Sequence, residues 1–255
     1  MKLTHKLTGA VLLAAVGIAA AVPGVTKAAE RDDHTGFGDI EFTKESYGSW
    51  DTTGGVVPPN STDSTRDTTH SLRDGEFVVQ GMSRLDFGSQ TVTLGKVNAW
   101  AKPTTANPTA EDGTKVEGRG NWVQFKDDRI TEDHKYELSA QITTPFTTTK
   151  DKKLTGATIH YTNAMLVADK DNEKLKPTVL PKDALVNETE RTAVFTNTEA
   201  AKGRGRYAVY FGEKGNTAKA ADKSVELEIP GDQADEITTG KYTATITWTL
   251  SDTPL

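Results

Sequence analysis

Cysteine is absent from the sequence. Disulfide bonds therefore cannot stabilise the fold, and a lipid cannot be attached to a mature N-terminal cysteine. The C-terminal end also lacks a Leu-Pro-x-Thr-Gly sorting motif and a hydrophobic tail, so we do not expect covalent anchoring by a sortase. These absences favour a non-covalent attachment if the protein is held at a surface.

Signatures of common enzyme classes are missing as well. The sequence has no Gly-x-Ser-x-Gly elbow, no His-Glu-x-x-His motif and no phosphate-binding glycine loop. The run that begins at Asp169 starts like a calcium loop, but Lys174 stands where glycine is required and Leu180 where glutamate is required. A pair of glycosidase carboxylates stays open, because such a pair is defined by its separation in space. We favour a non-catalytic protein without a metal site or cofactor.

The chain has fewer basic than acidic residues. The chain has 30 Lys and Arg against 36 Asp and Glu, and residues 1–28 contain three of the lysines and no acid. The negative balance disfavours nucleic acid and anionic membranes as partners, since both are bound largely through Lys and Arg. Lys202, Arg204 and Arg206 form a small basic cluster, which we interpret as a solvated edge beside a turn; ligand binding is the alternative.

The first 28 residues have the features of a secretory signal peptide. Lys2 and Lys6 precede an apolar run at residues 7–21, and small residues near Ala28 offer a cleavage site. An uncleaved membrane anchor is the alternative, but the run is shorter than the roughly 20 apolar residues that a spanning helix needs. We expect a secreted, extracellular protein with no transmembrane span after cleavage.

Alternation of apolar and polar residues recurs along the chain, whereas helical periodicity is scarce. Short runs of Thr, Val, Ile and aromatic residues are separated by Gly, Pro, Asn and Asp turns, which is typical of an antiparallel β-sandwich of Ig-like or Greek-key type. We predict an all-β fold with long loops and little helix, with residues 196–202 as a candidate short helix. The apolar faces of three predicted strands are Tyr136, Leu138, Ala140 and Ile142; Ala157, Ile159 and Tyr161; and Val225, Leu227 and Ile229.

Residues 29–255 suffice for a single β domain with a sizeable core. Within this range, residues 51–74 are rich in Gly, Pro, Ser, Thr and Asp and are predicted to form a long polar loop. Residues 102–120 and 170–182 are shorter polar connectors.

The C-terminal residues 242–255 contain the clearest strand pattern. Threonines at every second position would line one face of this strand. Trp248 is interpreted either as a core residue or as an exposed contact, and both interpretations are open. The other face would carry Tyr242, Ala244, Ile246, Trp248 and Leu250.

The sequence of this strand resembles the C-terminal signature of the WxL cell-surface proteins of Gram-positive bacteria. Residues 85–89, 123–129, 154–163 and 203–213 resemble further segments of that family in the same order. The family normally has a first Trp-x-Leu motif after the second of these segments. Here that place holds Tyr136-Glu137-Leu138, so the chain departs from the family pattern by a tyrosine in place of the tryptophan.

The resemblance implies a non-catalytic protein that is bound to the cell wall, with peptidoglycan as its ligand. It implies as partners other cell-surface proteins, including membrane-anchored proteins that bind the WxL domain. Both motifs are implied to be needed for attachment, and we expect them to form one patch from two distant segments. The candidate binding residues are Trp248, Leu250, Tyr136 and Leu138, and the candidate supporting residues are Tyr242, Tyr207, Arg204 and Arg206. Replacing Tyr136 by Trp is expected to leave binding unchanged or to strengthen it.

Two alternatives to direct wall attachment are open. The protein is then either an interaction subunit recruited to the surface by a membrane-anchored partner, or an adhesin for a host ligand.

Overall fold

The computed structural model describes residues 31–42, 75–92, 94–104, 120–168, 170–213 and 217–253. The predicted signal peptide at residues 1–28 and the predicted polar loop at residues 51–74 lie outside these ranges.

Strands dominate the described residues, so the predicted all-β fold is confirmed. Helix in these ranges is limited to 3₁₀ segments at Lys170–Leu175 and Ala221–Lys223 and a short α-helix, α1, at Gly231–Ala234. The strands are β1 (Arg31–Phe42), β2 (Phe77–Met82), β3 (Leu85–Gln90), β4 (Val97–Trp100), β5 (Asn121–Asp127), β6 (Tyr136–Thr147), β7 (Lys153–Leu154), β8 (Thr158–Tyr161), β9 (Ala164–Ala168), β10 (Ala184–Val186), β11 (Thr192–Asn197), β12 (Gly205–Phe211), β13 (Val225–Ile229) and β14 (Gly240–Ser251).

The strands form three sheets. Sheet I has six strands in the order β11-β6-β14-β1-β3, with β7 paired to β6; sheet II has the order β2-β5-β12-β9, and sheet III the order β10-β8-β13-β4. Neighbouring strands in the described ranges are antiparallel, except that β1 and β3 run parallel. A parallel pair needs a long crossover, and residues 43–76, together with β2, connect β1 to β3.

The inward faces of the three sheets share one hydrophobic core. Alternation sets these faces, because successive side chains of a strand point to opposite sides. The apolar face predicted for residues 242–250 is confirmed, since its five residues are at most 3% exposed. The three other predicted faces, on β6, on β8 with Ala157 before it, and on β13, are buried as well.

The predicted helix at residues 196–202 is wrong. Strand β11 continues to Asn197, and the chain then turns. The Asn197 side-chain amide donates hydrogen bonds to the carbonyl oxygens of His134 (2.7 Å) and Lys202 (2.8 Å). These contacts hold a turn against the start of β6, and a local helical preference is too weak to compete with them.

Candidate functional site

Trp248 lies in the middle of β14 and is 3% exposed. Its ring meets the ring of Tyr161 from sheet III edge-on, with centroids 5.6 Å apart, and lies 6.3 Å from the ring of Phe211 from sheet II. The Trp248 side chain therefore joins all three sheets. Of the two interpretations of Trp248, the structure supports the core residue.

The leucines of the two motifs face each other. Strands β6 and β14 are antiparallel neighbours, and Leu138 pairs directly with Leu250. Both side chains are completely buried. The two aromatic-x-Leu motifs therefore contact each other through their leucines, inside the core.

Tyr136 occupies a separate aromatic cluster at the start of β6. Its fully buried ring packs against Phe125 of β5, with centroids 5.6 Å apart, and against Phe77 and Phe195 at 6.3 and 6.1 Å. The hydroxyl group donates a hydrogen bond to the carbonyl oxygen of Gly203 (3.2 Å). Burial, and then the neighbouring Tyr207 and Asp127, raise the pKa of Tyr136 well above its ordinary value.

The aromatic residues of the two motifs do not share one patch, although their leucines are paired. Trp248 pairs with Ala140, which is four residues along β6 from Tyr136, a distance of about 13 Å in an extended strand. Tyr136 and Trp248 contact different sets of rings, and neither ring reaches the surface. The motif side chains are buried and pack between the sheets.

A buried ion cluster connects residues 123–129 to the C-terminal motif. The Arg129 guanidinium donates two hydrogen bonds to the fully buried Asp127 carboxylate, Nε to Oδ1 at 2.8 Å and Nη2 to Oδ2 at 2.9 Å. Its Nη1 also reaches Oδ2 of Asp252 at 3.3 Å. Such bidentate pairs are directional and strong, so the cluster fixes the end of β14 against the end of β5.

Two further groups enclose this cluster. The Arg129 guanidinium carbon lies 4.0 Å from the centroid of the Phe77 ring, and Nδ1 of His134 lies 3.0 Å from Oδ2 of Asp127. The cluster thereby braces the loop at residues 128–135 from both ends. The sequence did not predict these contacts, although the segments that resemble the WxL family include Asp127, Arg129 and Asp252.

Tyr207 and Tyr242, two candidate supporting residues, are fully buried. The Tyr207 hydroxyl donates to the carbonyl oxygen of Arg204 (2.8 Å), and burial, together with Asp127, raises its pKa. The Tyr242 hydroxyl accepts a hydrogen bond from the backbone N–H of Thr238 (3.2 Å). Both tyrosines stabilise turns from inside the core.

Arg204 and Arg206, the other two supporting residues, flank the start of β12. Arg204 is exposed, whereas Arg206 is partly buried, and its backbone N–H donates to Oδ1 of Asn172 (3.0 Å). Gly203 before them has a φ of 95°, a conformation that favours glycine. A Cβ atom at Gly203 would also lie 2.9 Å from Cε1 of Tyr136, so this turn closes directly over the first motif.

The described residues contain no group of three or more His, Asp or Glu that could hold a metal ion. In the same part of the chain, no helix has the length and apolar character needed to cross a membrane.

The chain was also compared with models of known protein families. The family model described as "WxL domain surface cell wall-binding" matches residues 29–254. No curated protein and no solved structure matches the chain. Because the family match covers nearly all of the sequence, the chain belongs to the WxL domain family of cell wall-binding surface proteins.

Proposed function

We propose that the protein is secreted, that residues 1–28 are removed as a signal peptide, and that residues 29–255 form a single domain that attaches non-covalently to peptidoglycan. The family match over residues 29–254 is the observation that carries this proposal. The absence of cysteine supports a non-covalent attachment. The excess of acidic residues makes simple electrostatic capture by anionic wall polymers a poor alternative.

The structure supports an indirect role for the WxL motifs in this attachment. Trp248, Leu250, Tyr136 and Leu138 are at most 3% exposed, so a polymer as large as peptidoglycan has no access to them in the folded protein. The motifs then act by holding three sheets together, and other side chains, on the surface, make the contact.

Co-sedimentation with peptidoglycan that has been stripped of wall polymers and proteins tests the proposal. The mature chain, from about residue 29, should bind saturably, and soluble peptidoglycan fragments should compete. Failure of a chain with an intact circular dichroism spectrum to sediment would contradict direct wall attachment. Release of reducing sugar or peptide at high protein loading would contradict the non-catalytic assignment.

We also propose that the protein works within a surface complex. Ile130 favours a protein partner: it is 92% exposed, and it follows Arg129 in the loop that the buried ion cluster braces. An exposed aliphatic side chain on a fixed loop suits a protein interface better than a polysaccharide.

Recruitment by a membrane-anchored partner is the second candidate function. In that case purified wall sacculi should retain the chain only when the partner is present. The variant Ile130→Ser should then weaken retention in the presence of the partner, and its melting temperature should stay close to the wild-type value because Ile130 is 92% exposed. Equal recruitment of the variant and the wild-type chain would show that the partner binds elsewhere.

A further inference from the structure

The outer face of sheet III combines an aromatic ring with several polar side chains. Strand pairing places Leu185, His160, Glu226 and Trp100 opposite one another in a row across all four strands. Asn98 and Glu228 pair with each other in the next row. We call these six residues the Trp100 face.

The Trp100 face is open to solvent. Asn98, His160 and Leu185 are exposed, and Trp100, Glu226 and Glu228 are partly exposed. The alternate residues of the same strands point inward: Ala99, Ile159, Val186 and Leu227 are at most 2% exposed. The core therefore does not need a tryptophan at position 100.

Trp100 differs in this respect from the two other tryptophans in the described ranges. Trp122 and Trp248 are both 3% exposed, whereas Trp100 is partly exposed. Nζ of Lys223 lies 5.3 Å from the centroid of this ring. An exposed cation–π contact of this kind is weak, so the lysine can move aside when another group stacks on the indole.

The polar groups around Trp100 are positioned by one another. Nδ2 of Asn98 donates to Oε1 of Glu226 at 2.6 Å, and Nζ of Lys96 lies 2.6 Å from Oε2 of Glu228. Lys96 and Lys223 balance the charges of the two glutamates, so this face has little net charge. Such a surface does not select a polyanion. Its carboxylates can accept hydrogen bonds from hydroxyl and acetamido N–H groups, and the Asn98 amide can both donate and accept hydrogen bonds.

We propose that the Trp100 face contacts the glycan strands of peptidoglycan, which are chains of uncharged pyranose rings rich in N-acetyl groups. The inference rests on the wall attachment proposed above. A sugar ring has an apolar C–H face that stacks on an indole and a polar edge that hydrogen-bonds to Glu226 and Asn98. The row from Leu185 to Trp100 spans three strand spacings, about 14 Å, which accommodates a short run of linked rings.

The test compares Trp100→Ala with a matched control, Phe37→Ala. Phe37 is an aromatic residue of sheet I that is 48% exposed, and it lies outside the Trp100 face. In co-sedimentation with stripped peptidoglycan, Trp100→Ala should weaken the affinity by at least about tenfold, whereas Phe37→Ala should change it by less than about twofold. Both variants should melt close to the wild-type temperature. Glu226→Gln, which keeps the side-chain shape, should weaken binding in the same direction.

Competition identifies the part of the wall that is bound. An oligosaccharide of β-1,4-linked N-acetylglucosamine should displace the chain from peptidoglycan, and a free stem peptide should not. Displacement by the stem peptide alone would overturn the assignment to the glycan. Lys223→Ala uncovers the indole and should bind as tightly as the wild-type chain or more tightly; a loss of binding in this variant would indicate an anionic ligand and overturn the proposal.

The two proposals fail in different ways. If the wild-type chain binds peptidoglycan and folded Trp100→Ala binds equally well, the proposed role of the Trp100 face is refuted and the proposed wall attachment stands. If the folded wild-type chain does not bind, both are refuted.

Discussion

Truncation of Trp248 separates a structural role for the WxL motif from a direct contact. The variant Trp248→Ala removes a side chain that is 3% exposed and that touches the rings of Tyr161 and Phe211 from two other sheets. Truncation of a buried Trp to Ala costs about 3–5 kcal/mol. The free energy of unfolding of a natural domain is only about 5–15 kcal/mol, so this single substitution removes a large part of the stability.

Thermal unfolding followed by circular dichroism measures the effect. For a domain of this size, 1 kcal/mol corresponds to about 2–4 °C, so the melting temperature should fall by about 6–20 °C. Peptidoglycan binding is then measured well below the melting temperature of the variant. There the affinity should lie within about twofold of the wild-type value, because the variant folds to the same surface.

A melting temperature equal to that of the wild-type chain, combined with loss of binding, would refute this reasoning. That result would mean that Trp248 is exposed in solution and touches the wall. Trp248→Phe serves as a control, since a smaller ring keeps part of the contact with Tyr161, and its melting temperature should fall between those of Trp248→Ala and the wild-type chain.

Four further predictions concern the buried ion cluster and the core tyrosines. Arg129→Met leaves Asp127 buried without its bidentate partner, so the free energy of unfolding measured in urea should fall by about 3–5 kcal/mol. Asp252→Asn removes only a single contact to Arg129 and should lower it by less. Equal losses in the two variants would contradict the stronger pairing of Arg129 with Asp127. Tyr136→Phe should lower the free energy of unfolding by about 1 kcal/mol through loss of one hydrogen bond. Tyr136→Trp should lower it by about 1–3 kcal/mol, because the ring at this position is fully buried against Phe77, Phe125 and Phe195 and a larger ring would displace them; an unchanged melting temperature would contradict this. The free energy of unfolding should fall as the pH rises above about 10, because burial raises the pKa of Tyr136, Tyr161 and Tyr207 in the folded chain, so the unfolded chain loses these protons first. Tyrosinate absorbance that rises before unfolding would show that these rings are accessible.

Local periodicity accounts for what the sequence predicted correctly. In β14, every second residue from Tyr242 to Leu250 is apolar, and a period of two has few interpretations other than a strand with one buried face. The same holds for β6 and β13. These faces followed from spacing alone, before any strand was assigned a partner.

Long-range pairing is what the sequence did not show. Arg129 and Asp252 are adjacent only because β5 and β14 end at the same place in the fold. Strand β1 is another example, because its glycines and aspartates have a low β-propensity. It inserts between β14 and β3, where Gly36 has no side chain to collide with Met82: a Cβ atom there would lie 2.6 Å from the sulfur.

Strand β8 links the buried motif to the proposed binding surface. Tyr161 points inward to Trp248, and the preceding residue, His160, points outward into the Trp100 face. Loss of Trp248 therefore acts on binding only by loosening sheet III from the core, and binding should recover at low temperature, where the variant is folded. Loss of Trp100 removes the contact itself, so binding should stay weak at every temperature. The temperature dependence of binding by the two alanine variants thus distinguishes a residue that holds the surface from a residue that forms it.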